Sequence, residues 1–224
     1  KQINGNGNEA AKQFVEYLKK CNVQADIPAY PSLALGAVEI SLYEMVQAYT
    51  MFPGGGYNAQ PLFINRIEDK NGNVLESFSP QRRKVINETT AYSVVSMMQG
   101  VISKGTGRSL YSYDIKAQSI AGKTGTTNDA ISTWFSGFHE DLATTVWVGT
   151  DNFSSLGKNE YGSSIALPIW VDYMNDQLQE LEVKTNSIPE NMSFIKVNPD
   201  TGKPNISNDA NAYFELFLDE NITN

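Results

Sequence analysis

Lys123 stands between two glycines and beside three threonines in "AGKTGTTND", residues 121–129. A fixed cation ringed by hydroxyls is a site for an anion, and two chemistries use nearly this string. One is a phosphate loop. Ala117, four residues, and then Gly122-Lys123-Thr124 approximate that loop, with alanine in place of its first glycine. A phosphate loop needs a helix that starts at the lysine, so that backbone N–H groups and the helix terminus meet the phosphate. Here Gly125, Thr126, Thr127 and a β-rich segment follow instead, and the chain shows no βαβ alternation. The second chemistry holds a carboxylate on a strand. The lysine supplies charge, the hydroxyls orient the carboxylate, and Gly125 removes bulk so that an extended ligand can lie along the strand. A backbone N–H of the same strand can hold a developing oxyanion. Taken alone the triplet Lys-Thr-Gly is short, and a solvated lysine on a surface strand would spell it equally well.

Other catalytic sets are poorly supplied. His139 is the one histidine, in the turn "HED", and a Ser-His-Asp arrangement would have to use it with Asp141 or Asp151. A single turn histidine is expected at the surface. One histidine and one cysteine cannot build a His/Cys metal site, and "DKNGN" serves better as a turn than as a calcium loop, so neither metal nor cofactor is expected. Cys21 has no possible disulfide partner and reads as a buried or helix-end thiol. The net charge of −8 argues against a broad nucleic-acid face. No apolar run approaches the roughly 18 residues of a membrane span. Five Asn-x-Ser/Thr sequons, at Asn87, Asn152, Asn191, Asn205 and Asn221, are attributed to the abundance of asparagine.

The elements that must hold the lysine strand follow from periodicity. Residues 9–20 place Ala11, Phe14, Val15 and Leu18 at helical spacing. Ser41 and Glu44 have capping-box spacing, with Ile40 and Met45 as a staple. Leu42, Met45, Val46 and Tyr49 form that helix's apolar stripe, and Pro53 to Gly56 end it. A hairpin is expected around Asn71-Gly72 with a type I′ turn. Asn87 caps a helix with Ala91, Val94, Val95, Met98, Val101 and Ile102 on one face, ended by "SKGTGRS". Three strands, "AQSIAGKTGT", "ISTWFSGF" and "LATTVWVGT", follow so closely that they must be antiparallel neighbours. Trp134 and Phe135 read as core packing. A last helix carries Trp170, Tyr173, Met174, Leu178 and Leu181. The whole is an α+β arrangement, an antiparallel sheet covered by helices. Residues 1–183 are expected to form its main unit. Residues 184–224 read as an Asn/Pro-rich acidic tail with a small hairpin near "NPDTGKPN".

Longer stretches add context to the triplet. "PSLALGAVEISLYEMVQAYTMFPGGG", "VISKGTGRSL", "AGKTGTTNDAISTWFSGF", "TTVWVGTDN" and "ALPIWVDYM" occur in the order and spacing of one family. Across about residues 9–180 the chain resembles the transpeptidase domain of class A penicillin-binding proteins, the bifunctional peptidoglycan synthases. Lys-Thr-Gly is the third signature of such serine acyltransferases. The resemblance implies a partial penicillin-binding, serine β-lactamase-like transpeptidase fold. It assigns Lys123 and Thr124 to the catalytic strand. Lys123, Thr124, Gly125, Thr126 and Thr127 become the substrate-binding set, with the Thr126 N–H as one arm of the oxyanion hole.

The implied ligands are peptidoglycan stem peptides, the lipid-linked precursor and β-lactams. The implied location is extracytoplasmic, at the periplasmic face of the inner membrane, with an upstream glycosyltransferase domain and membrane anchor. The family's nucleophile lies in Ser-x-x-Lys, followed by Ser-x-Asn. "SVVS" and "SKGT" do not fit, and in "SSLGK" the lysine stands four after Ser154. No Ser-x-Asn occurs. The opening, "KQINGNGNEAA", reads as a loop entered in mid-protein. The nucleophile is therefore expected in the upstream half of the same domain, outside this chain, and the chain alone is expected to be inactive and poorly folded. Alternatives are a serine β-lactamase or D,D-carboxypeptidase relative, and a non-catalytic module that binds β-lactams or muropeptides.

Overall fold

The computed structural model describes residues 7–115, 119–180, 188–204 and 211–222. Helix α1 is Gly7–Lys20 and α2 is Leu42–Tyr49. Strands β1 (Tyr57–Ala59), β2 (Arg66–Glu68), β3 (Val74–Ser77) and β4 (Arg82–Lys84) follow, then α3 (Glu88–Lys104). Strands β5 (Ala121–Thr126), β6 (Ser132–His139) and β7 (Leu142–Gly149) lead to α4 (Ala166–Glu180). Strands β8 (Met192–Val197) and β9 (Tyr213–Leu218) complete the order.

The central element is the antiparallel sheet β5-β6-β7. Strand alternation gives it two apolar faces, and helices cover both. On one face Phe135 and Val146 meet Leu167, Trp170, Val171 and Met174 of α4, together with Ile102 and Leu110. On the other, Ala121 and Phe138 meet Val95 and Met98 of α3, with Tyr49 and Phe52 alongside. A separate cluster of Val15, Cys21, Val23, Ile27, Leu33 and Ala48 joins α1 to α2. Cys21 is buried there, and burial pushes its thiol up to about 11, which makes it an unreactive core residue.

Local sequence signals explain the helix starts. The Ser41 hydroxyl accepts the Glu44 N–H at 3.2 Å, and Glu44 accepts the Ser41 N–H at 3.1 Å, a closed capping box. The Ser41 hydroxyl also donates to Glu44 at 2.6 Å, and the N–H groups of Gln24 and Ala25 reach the same carboxylate at 2.6 and 2.9 Å. The Ser41 hydroxyl, then these N–H groups, hold the Glu44 pKa below its ordinary value. A depressed carboxylate stabilises the fold above its unfolded pKa and loses that contribution as pH falls through the folded value. Glu44→Gln is thus expected to cost about 1 kcal/mol at neutral pH. In urea titrations that cost should fade below about pH 4. A penalty independent of pH would count against this role. Asn87 caps α3 by accepting the Thr90 N–H at 2.8 Å.

Several expectations change. In α2 the buried residues are Gln47 and Ala48, while Leu42 is exposed. This short helix is wedged between two clusters, so its small Ala48 side makes the closest approach. Phe14 of α1 and Tyr173 of α4 are likewise exposed. In α4 the inward stripe runs through Leu167, Trp170, Val171, Met174 and Leu178, and Leu181 lies outside the described residues. The β2–β3 turn is not type I′, because Gly72 has positive φ and Asn71 does not. Asp69 accepts the N–H groups of Asn71 and Asn73, and Gly72 N–H returns to the Asp69 carbonyl at 3.1 Å. That is the three-residue connection with glycine in the left-handed position. Near "NPDTGKPN", Val197 bridges Pro204, and β8 and β9 pair in register from Met192–Leu218 to Val197–Tyr213.

Candidate active site

Strand β5 pairs with β6 from Ala121–Phe138 to Thr126–Thr133 and, among the described residues, has no strand on its other side. Which backbone groups face that open edge follows from one bond. Thr127 N–H donates to Ser132 O at 3.1 Å, in continuation of the ladder register. In an antiparallel ladder the bonded positions alternate. Lys123 and Gly125 therefore direct their backbone groups to β6, and Gly122, Thr124 and Thr126 direct theirs outward. The Thr124 carbonyl is met by the Lys123 ammonium at 2.7 Å, as an outward acceptor should be.

The side chains divide by face. Lys123 is exposed and stands opposite Ser136. Behind it is a small hydroxyl network. Thr145 donates to the Ser136 hydroxyl at 3.1 Å, and burial pushes the neighbouring Tyr49 phenol up to about 12, an effect that Ser136 partly offsets. Thr124 points the other way, and its hydroxyl lies 2.7 Å from that of Thr106. The Thr126 hydroxyl accepts the Gly162 N–H at 3.0 Å and keeps its own proton free to donate. Thr127 is committed to the turn. Its hydroxyl accepts the Ser132 N–H at 2.8 Å and donates to the Ser132 carbonyl at 3.2 Å. A Cβ on Gly125 would stand 3.1 Å from the Trp134 Cβ, so this glycine also serves packing within the sheet.

Gly162 packs on the β5–β6 ladder. A Cβ there would overlap the Trp134 carbonyl oxygen and lie 2.7 Å from the Gly125 oxygen. Backbone atoms of a ladder cannot yield. Gly162→Ala is therefore expected to lift the 150–162 loop, break the Thr126 contact and cost about 1–3 kcal/mol. A denaturant midpoint unchanged from the parent would show that the loop is not seated there.

The nucleophile question needs a correction. Two strings do have Ser-x-x-Lys spacing, Ser155 to Lys158 and Ser193 to Lys196. A serine and lysine three apart face each other only on a helix. Ser155 and Lys158 lie in an irregular loop, where the serine hydroxyl donates to the Asp129 carbonyl at 2.6 Å. Ser193 and Lys196 lie on β8, where residues three apart project to opposite faces. Neither pair brings an amine to its hydroxyl. His139 is also misplaced by the surface expectation. Strand β6 runs through it before a two-residue turn, and it is buried on the Phe135 side of the sheet. Both its nitrogens lack a hydrogen-bond partner among the described residues, so it serves no serine. Thr106 is the residue that sequence reading missed. Its contact spans 18 positions, which no local spacing reveals. No group of metal-ligating side chains occurs among the described residues.

The chain as a whole is similar to known proteins. The family profile "Penicillin binding protein transpeptidase domain" matches residues 11–175. Penicillin-binding protein 1A of Pseudomonas aeruginosa is 33% identical across 97% of the chain and 32% of its own length. Penicillin-binding protein 1A of Aquifex aeolicus is 38% identical across 78% of the chain and 24% of its own. The chain thus spans a third or less of these curated relatives. Among solved structures, penicillin-binding protein 1A from Haemophilus influenzae superposes with a TM-score of 0.83 at 25% identity, over 94% of this chain and 38% of that one. PonA1 from Mycobacterium tuberculosis, solved with penicillin V, shares the fold at a TM-score of 0.64 and 24% identity, over 77% of this chain and 51% of that one.

Proposed function

The chain belongs to the penicillin-binding protein transpeptidase family, and from that premise we propose that it supplies the carboxylate-anchoring strand of a D,D-transpeptidase. The observation that carries the reading is the open edge of β5, with the outward backbone groups of Thr124 and Thr126 beside the Lys123 ammonium. An extended peptide can add to such an edge. Its terminal carboxylate pairs with Lys123 and takes hydrogen bonds from the Thr124 and Thr126 hydroxyls. The scissile carbonyl oxygen then comes to the Thr126 N–H, which stabilises the charge that develops on attack. Gly125 keeps the strand flat for the ligand, and Thr127 contributes by closing the turn that sets the strand's register.

The nucleophile is a serine outside residues 1–224. Its hydroxyl oxygen attacks the carbonyl of the penultimate residue of a stem peptide ending in D-Ala-D-Ala. The peptide bond breaks, terminal D-alanine leaves with the proton, and the acyl group stays on the serine as an ester. An amine of a neighbouring strand then takes the acyl group. β-Lactams enter the same site and remain as the acyl ester. The setting is the extracytoplasmic face of the inner membrane, and no helix among the described residues is long and apolar enough to cross a bilayer. The remaining partners are the upstream half of the domain and the lipid-linked precursor.

Incubating the intact protein with a stem pentapeptide and an amine acceptor tests the reading. It requires release of D-alanine together with a cross-linked product, both blocked by penicillin. Release without cross-linking would mark a carboxypeptidase, and neither product would mark a binding module.

A further inference from the structure

Between α3 and β5 the chain passes through Gly105-Thr106-Gly107, and this loop is clamped on both sides of its threonine. The N–H groups of Gly105 and Gly107 both reach the Val101 carbonyl at 3.1 Å. A Cβ on Gly105 would stand 2.9 Å from the Val101 Cα, and one on Gly107 would stand 2.7 Å from the Ile102 Cδ1. Both glycines thus let the loop lie flat on the last turn of α3. Leu110 follows, fully buried against the α4 side of the sheet, and its N–H returns to the Gly107 carbonyl at 3.0 Å. Thr106 is exposed on this fixed support, and its hydroxyl sits 2.7 Å from that of Thr124.

Two hydroxyls hold two protons. One lies between the two oxygens. The other is left to donate outward, whichever oxygen supplies the first. When Thr106 is the donor, the outward O–H belongs to Thr124, on the strand that carries Lys123. We propose that Thr106 is a positioning residue, which donates to the Thr124 hydroxyl and so leaves the Thr124 proton aimed at the ligand's carboxylate. The inference rests on the reading of Lys123 as a carboxylate anchor, and it adds a residue outside the lysine strand to that site.

The test compares benzylpenicillin with its carboxyl methyl ester on the intact protein, reading the second-order acylation constant of each. Thr106→Val removes the hydroxyl and keeps the shape. It should slow acylation by the free acid about 10-fold, as for one lost hydrogen bond to a charged group, and leave the ester constant unmoved. Thr106→Ser restores the hydroxyl and should return the acid constant to within about twofold of the parent. Thr106→Ala gives the same reading if the valine variant fails to fold. Equal slowing of acid and ester, or no slowing of the acid, overturns the proposal. Lys123→Ala run in parallel separates the levels. If it leaves the acid-to-ester ratio unchanged, the anchor reading falls and the Thr106 role with it. If it collapses the ratio while Thr106→Val does not, the Thr106 role alone falls.

Discussion

Replacing Lys123 with alanine in the intact protein is expected to slow acylation by a carboxylate-bearing β-lactam roughly 10- to 100-fold, the loss of a hydrogen bond to a charged group. The fold should not notice. Lys123 is exposed, and its ammonium bonds the carbonyl of the next residue in the chain. Surface substitutions of this kind stay within about 0.5 kcal/mol. The variant should therefore melt with the parent while labelling slowly with fluorescent penicillin. Arginine keeps the charge but not the compact ammonium, so Lys123→Arg should recover only part of the rate. An unchanged rate in Lys123→Ala would remove the lysine from the site, and a large fall in melting temperature would mean that it holds the sheet together instead.

The largest stability effect is expected at Trp170. It is fully buried in α4, stacks edge-to-face on Phe135 at 5.0 Å, and donates its indole N–H to the Thr144 carbonyl at 3.0 Å. Gly137 is shaped around it, since a Cβ there would lie 2.9 Å from the indole. Trp170→Ala leaves a large cavity and an unpartnered carbonyl, and should cost about 3–5 kcal/mol in denaturant unfolding. For a domain of this size that is roughly a 10 °C fall in melting temperature. The damage should reach the site, because Phe135 sits on β6 opposite Thr124. A cost below about 1 kcal/mol would mean that α4 does not carry the sheet's main core.

What the sequence disclosed about this fold was mostly local. Ser41 with Glu44, and Asn87 with Thr90, are signals three residues apart, and each closes as a cap. The three central strands were legible because two tight turns leave antiparallel pairing as the available arrangement. Lys-Thr-Gly itself was legible as a strand motif because β-rich residues follow it. What stayed hidden depends on distant partners. The burial of Ala48 in place of Leu42 follows from two clusters that meet α2 from different sides. The burial of His139 follows from one more residue of β6 than the turn suggested. Gly162 against Gly125, and Thr106 against Thr124, are contacts across loops that no periodicity encodes. The spacing of Ser155 with Lys158 and of Ser193 with Lys196 misleads in the opposite direction. Spacing alone looks catalytic there, and only the loop and strand conformations remove it.

The proposed function puts the carboxylate anchor within residues 1–224 and the acylated serine elsewhere in the intact protein. Mapping the penicilloyl adduct by mass spectrometry of the labelled, digested protein addresses it most directly. The adduct should fall on a single serine outside residues 1–224, leaving Ser155 and Ser193 unmodified. A stable adduct on any serine within 1–224 would place the nucleophile in this chain and overturn the proposed function.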